Sequence, residues 1–254
     1  MARPFLVAQL TDAHIGADWG APGAAAALRG CVDALLGMPD RPDALVVTGD
    51  LTDAGTAEQY AVVREQLQRL GVPWHVLPGN HDDRGAMRAA FALGGEGADP
   101  IRYAADLGAL RLVALDTTIP GDTAGRGRLD AEQLDWLADA LARAPDAPTL
   151  LAMHHPPVLT GVRPWDATAP AAAEVAALAA LLARHPQVLA LAAGHLHRAL
   201  HSELSGRPVC VVPSPYRQLR LDFEADDFVL AAEPPGFGIH ALLHGRLVTH
   251  VQGM

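Results

Sequence analysis

An α/β layered domain is the fold class this sequence predicts, on three observations. From the first residues to about residue 200, short apolar runs alternate with longer Ala/Leu-rich amphipathic stretches. Nearly every apolar run stops at a cluster of Gly, Pro, Asp or His. Beyond about residue 206 the alternation gives way to short strand-like runs separated by turn signals. Strand, helix, strand in succession argues for a layered α/β domain, and consecutive short strands argue for antiparallel pairing.

Taken in order, residues 5–10, 44–48, 72–77, 110–115, 149–153 and 188–192 are apolar on both faces and short enough for buried strands. Between them, 23–36, 57–70, 84–93, 130–142 and 172–184 carry the helical pattern. Asp130 is placed to cap the fourth helix, with Gln133 at the capping-box position. Pro39, Pro73, Pro145 and Pro186 punctuate the helix ends. In the tail, 208–212, 228–232, 238–243 and 246–251 read as strands, the last two joined at His244-Gly245. No repeat or linker divides the chain. The expectation is one domain over residues 1–254, with a β-rich tail from about 206 to 254 completing a second sheet.

Composition supports a packed domain and excludes several classes. The 254 residues are 50% apolar and 19% charged, enough for a core and too apolar for disorder. No apolar run reaches membrane-spanning length, and the first residues are too soon acidic for a signal peptide. Two cysteines, Cys31 and Cys210, make neither a disulfide scaffold nor a thiolate metal site, so a reducing, cytoplasmic setting is expected. A net charge of −10 lacks the basic field that duplex nucleic acid requires. All 19 basic residues are arginine, and Asn80 is the single asparagine.

The chemistry is written at the ends of the apolar runs. Thr11-Asp12-Ala13-His14 follows the first, Gly49-Asp50-Leu51-Thr52-Asp53 the second and Gly79-Asn80-His81-Asp82 the third. His154-His155-Pro156 and Gly194-His195-Leu196-His197 follow two later ones. Ligand sites in open α/β sheets lie outside the carboxyl ends of the strands, so all five clusters would share one rim. Each cluster alone reads equally as a solvated turn; together they supply four histidines, two aspartates and one asparagine. Imidazole, carboxylate and amide oxygen without thiolate suit zinc, manganese, iron or nickel rather than copper(I) or calcium. Seven donors exceed one tetrahedral ion and suit two ions sharing a carboxylate.

These blocks, in this order, resemble the calcineurin-like metallophosphoesterases: D-x-H, G-D, G-N-H-D, a His-Pro segment and G-H-x-H. The form Met153-His154-His155-Pro156-Pro157 and the tail are most similar to bacterial class III cyclic nucleotide phosphodiesterases and related glycerophosphodiesterases. The resemblance implies a four-layer α/β/β/α sandwich with two facing mixed β-sheets. It implies that Asp12, His14 and His197 hold one metal, that Asn80, His154 and His195 hold the other, and that Asp50 bridges them. The ions would be iron, manganese or zinc. His81 would be the catalytic residue that protonates the leaving group or stabilises the transition state. Asp53 and Asp82 would orient ligands or simply make turns. His155 would line the substrate pocket. Relatives often carry an arginine in the tail where this chain has Phe237-Gly238-Ile239-His240, so His240 is expected as a replacement substrate contact.

The implied activity is hydrolysis of a small phosphodiester, either a 3′,5′-cyclic nucleotide such as cyclic AMP or a glycerophosphodiester, by a hydroxide held between the metals. The alternatives are a phosphomonoesterase or protein phosphatase with the same blocks, or a non-catalytic metal-binding protein. Phe223, Phe228 and Phe237 add apolar surface to the tail, which either closes a homodimer or serves the chain's own core.

Overall fold

The computed structural model describes residues 3–21 and 23–254. The first apolar run forms strand β1 (Phe5–Leu10), followed by α1 (Ala24–Leu36), β2 (Ala44–Thr48), α2 (Ala57–Arg69), β3 (Trp74–Leu77) and α3 (Arg84–Phe91). Then come β4 (Tyr103–Asp106), β5 (Arg111–Ala114), α4 (Ala131–Ala142), β6 (Thr149–Ala152), α5 (Arg163–Asp166), α6 (Ala172–Ala183) and β7 (Val188–Ala193). The remainder is β8 (Leu200–Leu204), β9 (Arg207–Val211), β10 (Gln218–Leu219), β11 (Leu230–Ala231), β12 (Gly236–Leu243) and β13 (Arg246–Gly253).

Two mixed sheets face each other. One has the order β13-β12-β1-β2-β3, the other β4-β5-β6-β7-β9-β8. Strands β1, β2 and β3 run parallel, as do β5, β6, β7 and β9. Val7, Val46, Leu77, Leu112, Leu150 and Ala192 fill the space between the sheets. Leu28, Leu35, Tyr60, Leu67 and Met87 seal α1–α3 onto the outer face of the first sheet. Leu137, Leu141, Leu178 and Leu182 do the same for α4 and α6 on the second. The result is the four-layer α/β/β/α sandwich.

The tail departs from the expected placement. It does not complete the second sheet as a unit. Strand β9 joins that sheet beside β7, whereas the β12–β13 hairpin pairs antiparallel with β1 in the first sheet. Six consecutive residues of β12 are buried, so it needs cover on both faces, and the slot beside β1 supplies it. Phe237, Ile239 and Ala241 point into the helix-side core. Of the three tail phenylalanines, Phe237 is therefore core, while Phe223 and Phe228 remain exposed.

Strands β4 and β8 carried no signal in the sequence, and both are edge strands with mostly polar or small, part-exposed residues. Asp130 caps α4 by accepting the Gln133 N–H at 3.0 Å. The capping box does not close, because the Gln133 side chain donates instead to the Asp116 carbonyl.

Candidate metal centre

The five polar clusters emerge from the carboxyl ends of β1, β2, β3, β6 and β7 and converge between the two sheets. Pairing continues past the strands. The N–H groups of Asp12, His14 and Ile15 donate to the carbonyls of Gly49, Asp50 and Leu51. Across the sandwich, the His195 N–H donates to the Asp12 carboxylate at 3.0 Å. A Cβ on Gly194 would collide with Thr11 Oγ1, and one on Gly49 with His154 Nδ1, so the loops approach this closely only because both positions are glycine. Of eight non-glycine residues with left-handed φ among the described residues, five are Asp12, His14, Asp50, His195 and His197. Such backbone costs free energy and persists where surrounding structure imposes it, here to aim donors inward.

The donors lie close together. Nε2 of His14 is 3.0 Å from Nε2 of His197 and 3.5 Å from Asp50 Oδ2. Nε2 of His154 is 3.4 Å from the same Asp50 oxygen and 3.1 Å from Asn80 Oδ1. Asp12 Oδ1 is 3.6 Å from His197 Nε2. The Asp50 carboxylate thus stands between the His14/His197/Asp12 group and the His154/Asn80 group. Its other oxygen accepts the His81 N–H at 2.8 Å.

This set fits a metal pair on its own chemistry. Three rings have one nitrogen fixed by an oxygen: His154 Nδ1 by the Thr48 carbonyl, His197 Nδ1 by the Arg217 carbonyl, and His195 Nε2 by Thr168 Oγ1. That selects the tautomer and leaves the other nitrogen's lone pair for a cation. The cluster also demands positive charge. Burial alone would lower the pKa of His154, but Asp50 and Asp12 overcome it and raise it to about 9. Burial likewise opposes the Asp50 carboxylate, yet His154 and His14 hold it well below the usual carboxylate range. Burial pushes His197 down to about 4 and holds His195 well below the usual histidine value, so both rings stay neutral and ready to ligate.

The supporting carboxylates differ in role. Asp53 is 3.5 Å from both His14 Nδ1 and His81 Nδ1, and its carbonyl oxygen is 3.2 Å from His81 Nδ1. Asp82 accepts N–H bonds from Leu51, Thr52 and Gly79 and hydroxyl bonds from Thr52 and Tyr60, tying the loop after β2 to the loop after β3. Burial and the nearby Asp50 charge push its carboxyl up to about 6.

Two expected substrate contacts are elsewhere. His155 is fully buried; Thr117 Oγ1 engages its Nδ1, and its Nε2 donates to the Gly125 carbonyl at 3.0 Å. With both nitrogens committed it braces the 119–127 loop, which rests on Asn80 at Gly125, rather than lining the pocket. His240 is also buried. Its Nε2 donates to Gln9 Oε1 at 2.9 Å, and Thr249 Oγ1 lies 2.8 Å from its Nδ1. The Gln9 amide then donates to Thr48 Oγ1 and to the Ala193 carbonyl. His240 therefore struts the tail hairpin to the ends of β2 and β7, where the site loops begin.

The His240 strut makes a testable contribution to stability. Burial holds its pKa near 4, against about 6.5 in the unfolded chain. A depressed folded pKa gives stability present above about pH 6.5 and lost as pH falls through 4, on the order of 3 kcal/mol. In EDTA-treated protein, urea unfolding of His240→Gln is expected to show a shallower loss of stability between pH 6.5 and 4 than the parent. Parallel slopes would contradict it.

A cavity of about 340 Å³ opens over the cluster, lined by His14, Asp50, Asn80, His81, His195 and His197, together with Trp19, Thr123–Gly125, Thr168, Leu219, Phe228 and Leu230. Apart from Phe228, noted in the sequence only as apolar tail surface, the second group had no sequence signal; these residues come from loops and from the β10–β11 hairpin, which only the fold brings to the site.

A two-sheet sandwich holding a carboxylate-linked His/Asp/Asn cluster at its strand ends defines a class, the phosphoesterases that work through a metal pair. The chain belongs to the calcineurin-like phosphoesterase family, whose model matches residues 5–199. It is 33% identical to a probable glycerophosphodiester phosphodiesterase GpdQ of Arcobacter nitrofigilis, over 93% of this chain and 88% of that one. It is 32% identical to the 3′,5′-cyclic adenosine monophosphate phosphodiesterase CpdA of Pseudomonas aeruginosa, over 91% of this chain and 83% of that one. Among solved structures, purple acid phosphatase PPD1 of yellow lupin shares the fold at a TM-score of 0.70 and 16% identity. That match covers all of this chain and 52% of the lupin chain, so the present chain spans about half its length. Among the described residues, no helix is long and apolar enough to cross a membrane.

Proposed function

We propose that this chain is a metal-dependent phosphodiesterase acting on small diesters, cyclic nucleotides or glycerophosphodiesters. One observation carries the choice of diester over monoester: the cavity over the cluster is lined by no arginine or lysine and has an apolar wall of Trp19, Leu219, Phe228 and Leu230. A dianionic monoester would meet no guanidinium or ammonium group beyond the metals. A monoanionic diester needs fewer cations, and its second substituent finds apolar surface. The relatives named as diesterases support the same reading.

In this reading Asp12, His14 and His197 would hold one ion, Asn80, His154 and His195 the other, and Asp50 would be shared. The donor set suits iron, manganese or zinc, and no thiolate competes, since Cys31 and Cys210 are buried against Gly236 and Thr249. When bound, the pair supplies Lewis acidity at the phosphoryl oxygens and a water acidified to near neutral pH. The chain supplies the rest. Asp50 and His154 stand 3.4 Å apart at the floor of the cavity and would hold the pair there. His81, held through Nδ1 by the Asp53 carbonyl, keeps Nε2 for the leaving oxygen and gives it a proton as the phosphorus–oxygen bond breaks.

The experiment is a turnover panel on manganese-loaded protein: bis(p-nitrophenyl) phosphate, p-nitrophenyl phosphate, cyclic AMP and glycerophosphocholine. The activated diester is expected to turn over faster than the matching monoester. Faster monoester turnover at equal metal content would replace the reading with a phosphomonoesterase.

A further inference from the structure

The aromatic wall of the cavity is built with more care than excluding water requires. Trp19 lies in the loop after His14, its ring 4.6 Å from the His14 ring and 6.0 Å from the His197 ring. One face is stacked on Tyr216, with the planes 4° apart and centroids at 5.6 Å. The backbone is pinned as well. The Trp19 N–H donates to Tyr216 Oη at 2.7 Å, and that hydroxyl donates to the Gly20 carbonyl. Arg217 donates to the carbonyls of Trp19 and Ala21, while its guanidinium lies over the Tyr216 ring. Ser214 Oγ accepts the Tyr216 N–H and donates to the Asp12 carbonyl, which ties this platform to a proposed ligand. Across the cavity, Phe228 sits 6.5 Å from the His195 ring.

A tryptophan covered on one face and held through its own backbone is a preorganised surface. It loses little conformational entropy when a flat group settles on the part lining the cavity. With no arginine or lysine there, an anionic substituent finds no partner, whereas a planar ring can lie against the indole. We infer that Trp19 is the specificity-determining residue of this site and receives a nucleobase, so that a base-bearing phosphodiester is favoured over a ring-free, glycerol-type one. This inference rests on the diesterase reading above and adds to it the class of substituent.

The test pairs Trp19→Ala with Trp19→Phe in zinc-loaded protein, with metal content measured. KM and kcat are taken for cyclic AMP and for glycerophosphoglycerol, a diester with neither a ring nor a cation to lie on the indole. Fluorescence is followed on titration with adenosine 5′-monophosphate and, as the ring-free counterpart, ribose 5-phosphate. Stacking on an aromatic side chain is sequence-tolerant and sensitive to its removal, so Trp19→Ala is expected to raise KM for cyclic AMP about 10–100-fold. Its kcat and metal content stay near the parent's, and glycerophosphoglycerol changes little. Trp19→Phe recovers most of the KM. Adenosine monophosphate, but not ribose phosphate, quenches the parent, and the quench is lost in Trp19→Phe. Equal shifts for both diesters, a fall in kcat or metal content at unchanged KM, no recovery by phenylalanine, or equal quenching by the two phosphates would overturn the assignment. Should the parent hydrolyse only monoesters, the diesterase reading fails while the quench still decides the role of Trp19. Diester turnover with ring-independent KM leaves that reading standing and removes this one.

Discussion

Asp50→Asn is expected to deplete both metal positions and to lower turnover by more than about a hundredfold. Loss of even an outer partner of a metal ligand typically costs about 10–100-fold in affinity or activity, and Asp50 is placed more centrally than that. One carboxylate oxygen lies 3.5 Å from His14 Nε2 and 3.4 Å from His154 Nε2, the two donors that head the two groups. The change is nearly isosteric. An asparagine oxygen can still accept the His81 N–H that Asp50 Oδ1 accepts now, so the loop after β3 keeps its anchor. What disappears is a unit of negative charge between two cations. Asn80→Ala is the contrast, because it removes one neutral donor beside His154 alone and should empty one position more than the other. Elemental analysis of purified, metal-saturated variants decides it. Two ions retained in Asp50→Asn, or equal loss of both in Asn80→Ala, would show that the proposed sharing is wrong.

The legibility of this molecule in its sequence followed burial. Strands such as β1, β2 and β7 could be read because they are apolar on both faces, a consequence of lying between a helix layer and the opposing sheet. The edge strands β4 and β8 have solvent on one side and partner only one neighbour, and their sequences say little. The destination of β12 was hidden for another reason. Pairing with β1 is a choice among sheet edges, and nothing local to residues 236–243 encodes it. At the site, the donors could be listed because each follows a buried run, where a polar residue is conspicuous. Their supporting partners could not. Gln9 bonds the Ala193 carbonyl 184 residues away, Ser214 bonds Asp12 across 202 residues, and Trp19 takes its backbone acceptor from Tyr216, 197 residues on. The same limit explains His155 and His240. A histidine beside a motif reads as a contact for substrate, and only the packing shows both rings buried with both nitrogens already engaged.

His81→Ala should slow hydrolysis of poor leaving groups without emptying the cluster. His81 follows Asn80 by one residue, yet it stands apart from the buried donors: it is exposed, lines the cavity and stacks edge-on against His14 at 4.7 Å. Its Nδ1 lies 3.2 Å from the Asp53 carbonyl and 3.5 Å from the Asp53 carboxylate. The carbonyl orients the ring and leaves Nε2, facing the cavity side of the loop, free of any protein partner among the described residues. Removing such an acid typically costs about 10²–10⁴-fold. The cost depends on the leaving group. An alkoxide from cyclic AMP or glycerophosphocholine departs badly without a proton, whereas p-nitrophenolate needs none. The expected result is therefore a large loss of kcat on the alkyl diesters and a small one on bis(p-nitrophenyl) phosphate, at unchanged metal content. Equal losses on both substrate types would assign His81 to binding or charge stabilisation of the phosphoryl group, since that duty is the same whichever alkoxide departs.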